Sequence, residues 1–126
     1  MEFSQAGRIC SFCGRPGSSD NRLGSGLGAM ICRECVTALH LAMTSDDSES
    51  VSRTPWETMA DAELLETLPL ILRSAEQNAA FATDWVSIIR ERRISWAQIG
   101  DALGVSRQAV WERFAKGVEQ RRSSGA

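Results

Sequence analysis

ICSFCGRPGSSDNRLGSGLGAMICRECV, residues 9–36, holds all four cysteines of the 126-residue chain. Cys10 and Cys13 form one C-x2-C pair, Cys32 and Cys35 form another, and 18 residues separate the two. From two such pairs a tetrahedral Zn²⁺ takes four thiolates. Each pair fits a tight turn whose amides point at the sulfurs, and Gly14 stands where a left-handed backbone is often required. A rubredoxin-like iron site would use the same ligands. A disulfide framework is disfavoured: the N-terminal stretch MEFSQAGRIC lacks the basic and apolar regions of an export signal, and the cytosol is reducing. With four protein ligands the ion keeps no open position for water, so it folds the chain rather than hydrolysing a substrate.

Between the pairs, Pro16, Gly17 and Ser18 to Asn21 read as turns. Gly24, Gly26 and Gly28 do not make a phosphate-cradling loop, because no strand–turn–helix pattern surrounds them. The spacing fits a small β-hairpin, with Leu27, Met30 and Ile31 expected beside the metal. Val36 to Met43 then reads as a short helix, giving a ββα module. His40, the one histidine, is expected at the surface or in packing, since the cysteines already fill the site.

The strings ICSFCG (9–14) and ICRECV (31–36), with this spacer, resemble the N-terminal zinc-binding domain of the ClpX unfoldase over residues 8–43. Phe12, Gly14, Ile31 and Glu34 agree with that family's pattern as well as the four cysteines. The resemblance implies a domain that dimerises and binds substrates or adaptors. It implies no unfolding activity, because no AAA+ ATPase follows. Arg33 stands where the family carries an acidic residue, and the spacer is rich in glycine. Both departures bear on partner specificity.

Residues 44–57 are short and polar (TSDDSESVSRTP over 44–55) and read as a linker between domains at 1–43 and 58–126. Helical patterning begins at Asp61, and Pro69 is expected to kink or restart it. Leu68, Leu72, Ala75, Ala79, Ala82, Val86 and Ile89 form a heptad-like stripe, widened by Ile71, Phe81, Trp85 and Ile88. Such a helix calls for burial on more than one side, so a homodimer is expected, the alanines permitting close approach. Glu63, Glu66 and Glu76 are placed on the wet face.

Residues 94–118 carry a third pattern. Ser95 is expected to cap a helix over Trp96–Leu103, with Ala97, Ile99, Ala102 and Leu103 inward. Gly104 ends it in the left-handed region, Val105 fills the corner, and Ser106 caps a second helix from Arg107 to about Val118. Ala109, Val110 and Phe114 are expected inside, and the segment from Arg121 as a frayed tail. The string W-x-x-I-G-x-x-L-G-V-S-R-Q-A-V (96–110) is similar to helix-turn-helix units of bacterial regulators. That resemblance implies double-stranded DNA as partner. Arg107 would pair with guanine and Gln108 with adenine. Ser106 would hold a phosphate, while Arg92, Arg93, Arg113 and Lys116 would neutralise backbone charge. Trp111 is expected partly outward beside them, and it packs rather than stacks on bases.

Charge is unevenly distributed: residues 1–40 carry +1, residues 41–84 carry −7 and residues 85–126 carry +4. A basic C-terminal segment is the footprint of nucleic-acid binding. No run of 18 apolar residues is present, so no membrane span is expected, and no GxxxxGK[ST] loop occurs. The lone histidine and the closed metal site argue against an enzyme. The expectation is a mainly α protein: a small four-cysteine ββα zinc module followed by a helical helix-turn-helix domain. It would act as a cytoplasmic, nucleoid-associated, sequence-specific transcriptional regulator whose zinc module dimerises or binds a protein partner. The alternative is an adaptor of the Clp proteolysis system.

Overall fold

The computed structural model describes residues 7–45 and 55–124. Most of the expected linker therefore lies outside the described residues. The chain is mainly helical: strands β1 (Leu23–Ser25) and β2 (Met30–Cys32) precede helices α1 (Arg33–Thr44), α2 (Asp61–Glu91), α3 (Trp96–Leu103) and α4 (Arg107–Ser124), with a 3-10 turn at Pro55–Thr58. It divides into two units, Met1–Asn78 and Ala79–Ala126, so the boundary falls inside α2. Among the described residues no helix is long and apolar enough to cross a membrane.

In the first unit β1 and β2 form the expected antiparallel hairpin, with Leu23 opposite Cys32 and Ser25 opposite Met30. Strand alternation sends Leu23, Met30 and Cys32 inward. Leu27 does not join them. It sits at the hairpin tip, 96% exposed, in the loop closed by Gly26 N–H to Ala29 O. β2 runs directly into α1, which starts at Arg33 rather than after Cys35. His40 is exposed, as expected.

α2 runs without a restart through Pro69, which lies on an exposed part of the helix where the carbonyl left without its N–H partner can meet water. Asp61 and Glu63 in its first turn and Arg90 in its last complement the helix dipole. Within the first unit it meets the Cys10–Cys13 knuckle through one face. The Gln77 side chain accepts from Ile9 N (2.8 Å) and donates to Ile9 O (3.0 Å), and the Arg73 guanidinium donates to Gly7 O (3.3 Å). Leu70 lies against Gly14, where an added Cβ would come within 2.7 Å of a Leu70 methyl. Gly14 has φ +80°, a backbone conformation that favours glycine, whereas the Leu70 tip could turn aside. Glu63, Glu66 and Glu76 are exposed, as expected.

The second unit closes around Val86, Ile99, Val110, Phe114 and Val118, with Ala82, Ile89, Ile94 and Trp96 at the edge. Two helix ends make its corners. Arg93 (φ +63°) ends α2: its N–H donates to Arg90 O, and Ile94 N–H reaches back to Ile89 O. Gly104 (φ +70°) ends α3 in the same way, with Gly104 N–H to Asp101 O and Val105 N–H to Gly100 O. Both are Schellman arrangements. Ser95 caps α3 in a reciprocal capping box with Gln98, and Ser106 Oγ accepts from Ala109 N (3.1 Å) at the start of α4.

Several expected inner contacts turn outward. Ala97, Ala102, Leu103, Val105 and Ala109 are exposed; α3 meets the core through Ile99 and Gly100, and α4 through Val110, Phe114 and Val118. The expected tail is helical instead: α4 reaches Ser124. Arg121 pairs with Asp84 and also donates to Ala80 O (2.9 Å) and Gly117 O (3.3 Å).

Candidate metal centre

Cys10 and Cys13 sit on a knuckle where Gly14 N–H donates to Cys10 O (2.9 Å) and Cys10 N–H to Arg15 O (2.8 Å). Cys32 ends β2, and Cys35 is carried by the first turn of α1. Ser11 N–H donates to Met30 O (2.7 Å) and ties the knuckle to the hairpin. The four Sγ atoms all lie within 4.8 Å of one another, and Cys13 Sγ to Cys32 Sγ is 3.8 Å. A Zn–S bond of about 2.3 Å in a tetrahedron demands S···S edges of about 3.8 Å, so the donor set fits Zn²⁺.

Amides already point at the sulfurs: Phe12 N–H and Cys32 N–H both donate to Cys10 Sγ, at 3.4 and 3.3 Å. The ionisation pattern shows why a cation is needed. The backbone N–H of Cys35 holds the Cys32 thiol down at about 6, against its burial. Burial pushes Cys13 up, yet the amide and guanidinium of Arg15 with the neighbouring thiols outweigh it and leave it lowered. Burial drives Cys35 well above the usual thiol range, and the other three sulfurs add to the rise. Four thiolates this close repel, and a dication relieves that repulsion. One structural Zn²⁺ per chain is what this site holds, by its four cysteines.

Arg15 was not legible as part of the centre. Its Nε donates to Cys13 Sγ (3.4 Å), and it forms an ion pair with Glu34 in the first turn of α1. Cys13, then Glu34, raises its affinity for the proton. Its place two residues beyond a ligand, opposite a carboxylate in ICRECV, is the only available signal.

The residues expected at DNA all fall in the second unit. Ser106 caps α4, and Arg107, Gln108, Trp111, Arg113 and Lys116 lie exposed along it. Gln108 Nε2 donates to Glu112 Oε1 (3.0 Å), and the Arg113 guanidinium lies 5.1 Å from the Phe114 ring centre. Arg92 and Arg93 are exposed in the turn between α2 and α3.

Comparison with curated proteins and with solved structures finds no match. One family model matches, described as ClpX C4-type zinc finger, over residues 8–43. That span holds all four clustered sulfurs, the hairpin and nearly all of α1, so residues 8–43 are a ClpX-type C4 zinc finger.

Proposed function

We propose that this chain is a bacterial sequence-specific DNA-binding transcriptional regulator, working as a homodimer, with the zinc finger as a module for a protein partner. It has no catalytic role and acts at the nucleoid. The observation that carries this reading is α3–turn–α4: two helices joined at a left-handed Gly104, with an exposed, Ser106-capped N-terminus of α4 bearing Arg107 and Gln108. A helix-turn-helix offers that end to the major groove. The +4 charge of residues 85–126 supports it.

In this reading Arg107 takes guanine O6 and N7, and Gln108 exchanges its Glu112 contact for adenine. Ser106 and the helix terminus meet a phosphate. Arg92, Arg93, Arg113 and Lys116 add backbone contacts, and Trp111 packs beside them. The test is selection of genomic fragments by zinc-loaded protein, then titration of the winners at two salt concentrations. Enrichment of a site about a thousandfold over bulk DNA supports the reading. Arg107→Ala is expected to cost about 1–3 kcal/mol and relax one base preference, and Lys116→Ala to lower the salt slope by about one. No enrichment overturns it.

A second reading, an adaptor of the Clp proteolysis system using α3–α4 as a protein contact, is favoured by the family match at residues 8–43. Co-purification with Clp components, without DNA enrichment, would select it.

A further inference from the structure

We infer that two copies of this chain associate through an apolar seam on the N-terminal half of α2. The inference locates the homodimer named above and stands independently of DNA binding. Leu65, Leu68, Leu72 and Ala75 follow one another by three, four and three residues, the spacing of a coiled-coil seam. Leu64 and Ile71 widen it on one flank. At about 100° per residue, these positions centre on the side of the helix opposite Leu70, Arg73 and Gln77, which hold the Cys10–Cys13 knuckle. The finger therefore leaves the seam open. Leu65 is 72% exposed, Leu68 51%, Ile71 59% and Leu72 56%.

The area argues for a second copy as occupant. With Leu64, these side chains present roughly 500 Å² of apolar surface, at the upper end of what a monomer normally leaves to water. An isologous pairing buries the same patch twice, giving roughly 1,000 Å², the threshold of a specific interface. A heptad seam is met best by another helix of the same period, which this chain itself supplies. Ala75 lets the two axes approach closely. Glu63 and Glu66 fall on the far side of the helix, while Asp61 lies at the N-terminal end of the seam and Glu76 on its flank, so the leucines between them form the apolar centre of the contact.

The test is sedimentation equilibrium of the full zinc-loaded chain from 1 to 100 μM, without DNA. The wild type is expected to form dimers within that range. Leu68→Glu and, as a milder change, Leu72→Gln are each expected to raise the dimer Kd at least tenfold. Both should keep one zinc per chain and an unchanged helical spectrum. Phe12→Ser, at an exposed position of the finger, is expected to leave the Kd unchanged. A wild type that stays monomeric at 100 μM overturns the inference. So does an unchanged Kd in folded Leu72→Gln, or a dimer lost only in Phe12→Ser. A monomer that still selects a DNA site refutes the seam alone, and a dimer that selects none refutes only the DNA reading.

Discussion

Gly100→Ala is a sharp test of how the α3–α4 corner is built. A Cβ at Gly100 would sit 2.8 Å from Val105 O and 3.3 Å from both Arg107 N and Ser106 C. Carbon and oxygen in contact settle at about 3.3–3.6 Å, so the turn would have to retreat by about half an ångström or more. All three neighbours are backbone atoms, and no side-chain rotation relieves the clash. The retreat also strains the Val105 N–H bond to Gly100 O, now 3.0 Å, which closes α3. Overpacking of this kind costs about 1–3 kcal/mol and a weakened capping bond adds about 1 kcal/mol, while the better helix propensity of alanine inside α3 returns about 1 kcal/mol. Against a unit of this size, holding roughly 2–7 kcal/mol, a net loss of about 1–3 kcal/mol leaves the fold marginal. Urea unfolding followed by tryptophan fluorescence reads it, since Trp85, Trp96 and Trp111 all lie in this unit. A Gly100→Ala midpoint corresponding to less than about 0.5 kcal/mol of change would refute the reasoning, because surface substitutions fall in that range.

Gln77→Leu removes both bonds to the Ile9 backbone, and Ile9 is fully buried, so a cost of about 2–3 kcal/mol is expected, visible as faster amide exchange at Ile9 and faster zinc release to a chelator. Arg93→Gly relieves a left-handed conformation that side chains resist; a gain of about 1 kcal/mol is expected in thermal unfolding, with no change in zinc content. Chelation of the metal is expected to collapse the NMR dispersion of residues 8–43 while leaving the amides of the Val86–Phe114 core in place, because only the first unit draws its folding energy from thiolate ligation.

Features governed by local chemistry were readable in the residues themselves. The cysteine spacing located the four ligands, the serines at 95 and 106 marked the starts of α3 and α4, and Gly14 and Gly104 stand at positive φ as their positions required. What escaped were choices made by tertiary packing. Leu103 shares the face of Ile99 and Gly100, but it is the last residue of α3, one turn past Ile99, and it is exposed there; Val105 lies in the turn that follows. Arg121 lies in a polar, serine-ended stretch that reads as fraying. It is held by Asp84 and Ala80, 37 and 41 residues away, and no local pattern reports partners at that distance. The role of Arg15 is hidden for the same reason, since its carboxylate partner lies across the hairpin.

The Gln77 contact explains how so small a finger carries a defined shape. A module of about 40 residues buries too little apolar surface to fold alone and relies on a metal. Among the described residues of the first unit the buried apolar side chains are Ile9, Leu23 and Met30 beside the ligands Cys10 and Cys32, a very small core. The zinc fixes the sulfurs, but it leaves the strand-like backbone at Ile9 without a sheet partner beyond its single bridge to Pro16. Gln77 supplies that partner, since a carboxamide offers one donor and one acceptor in the geometry of a peptide group. A glutamate there would keep an acceptor for Ile9 N but face Ile9 O with no donor. It would leave a buried charge beside a carbonyl, so the polarity of this one side chain, rather than its size, joins the finger to its helix.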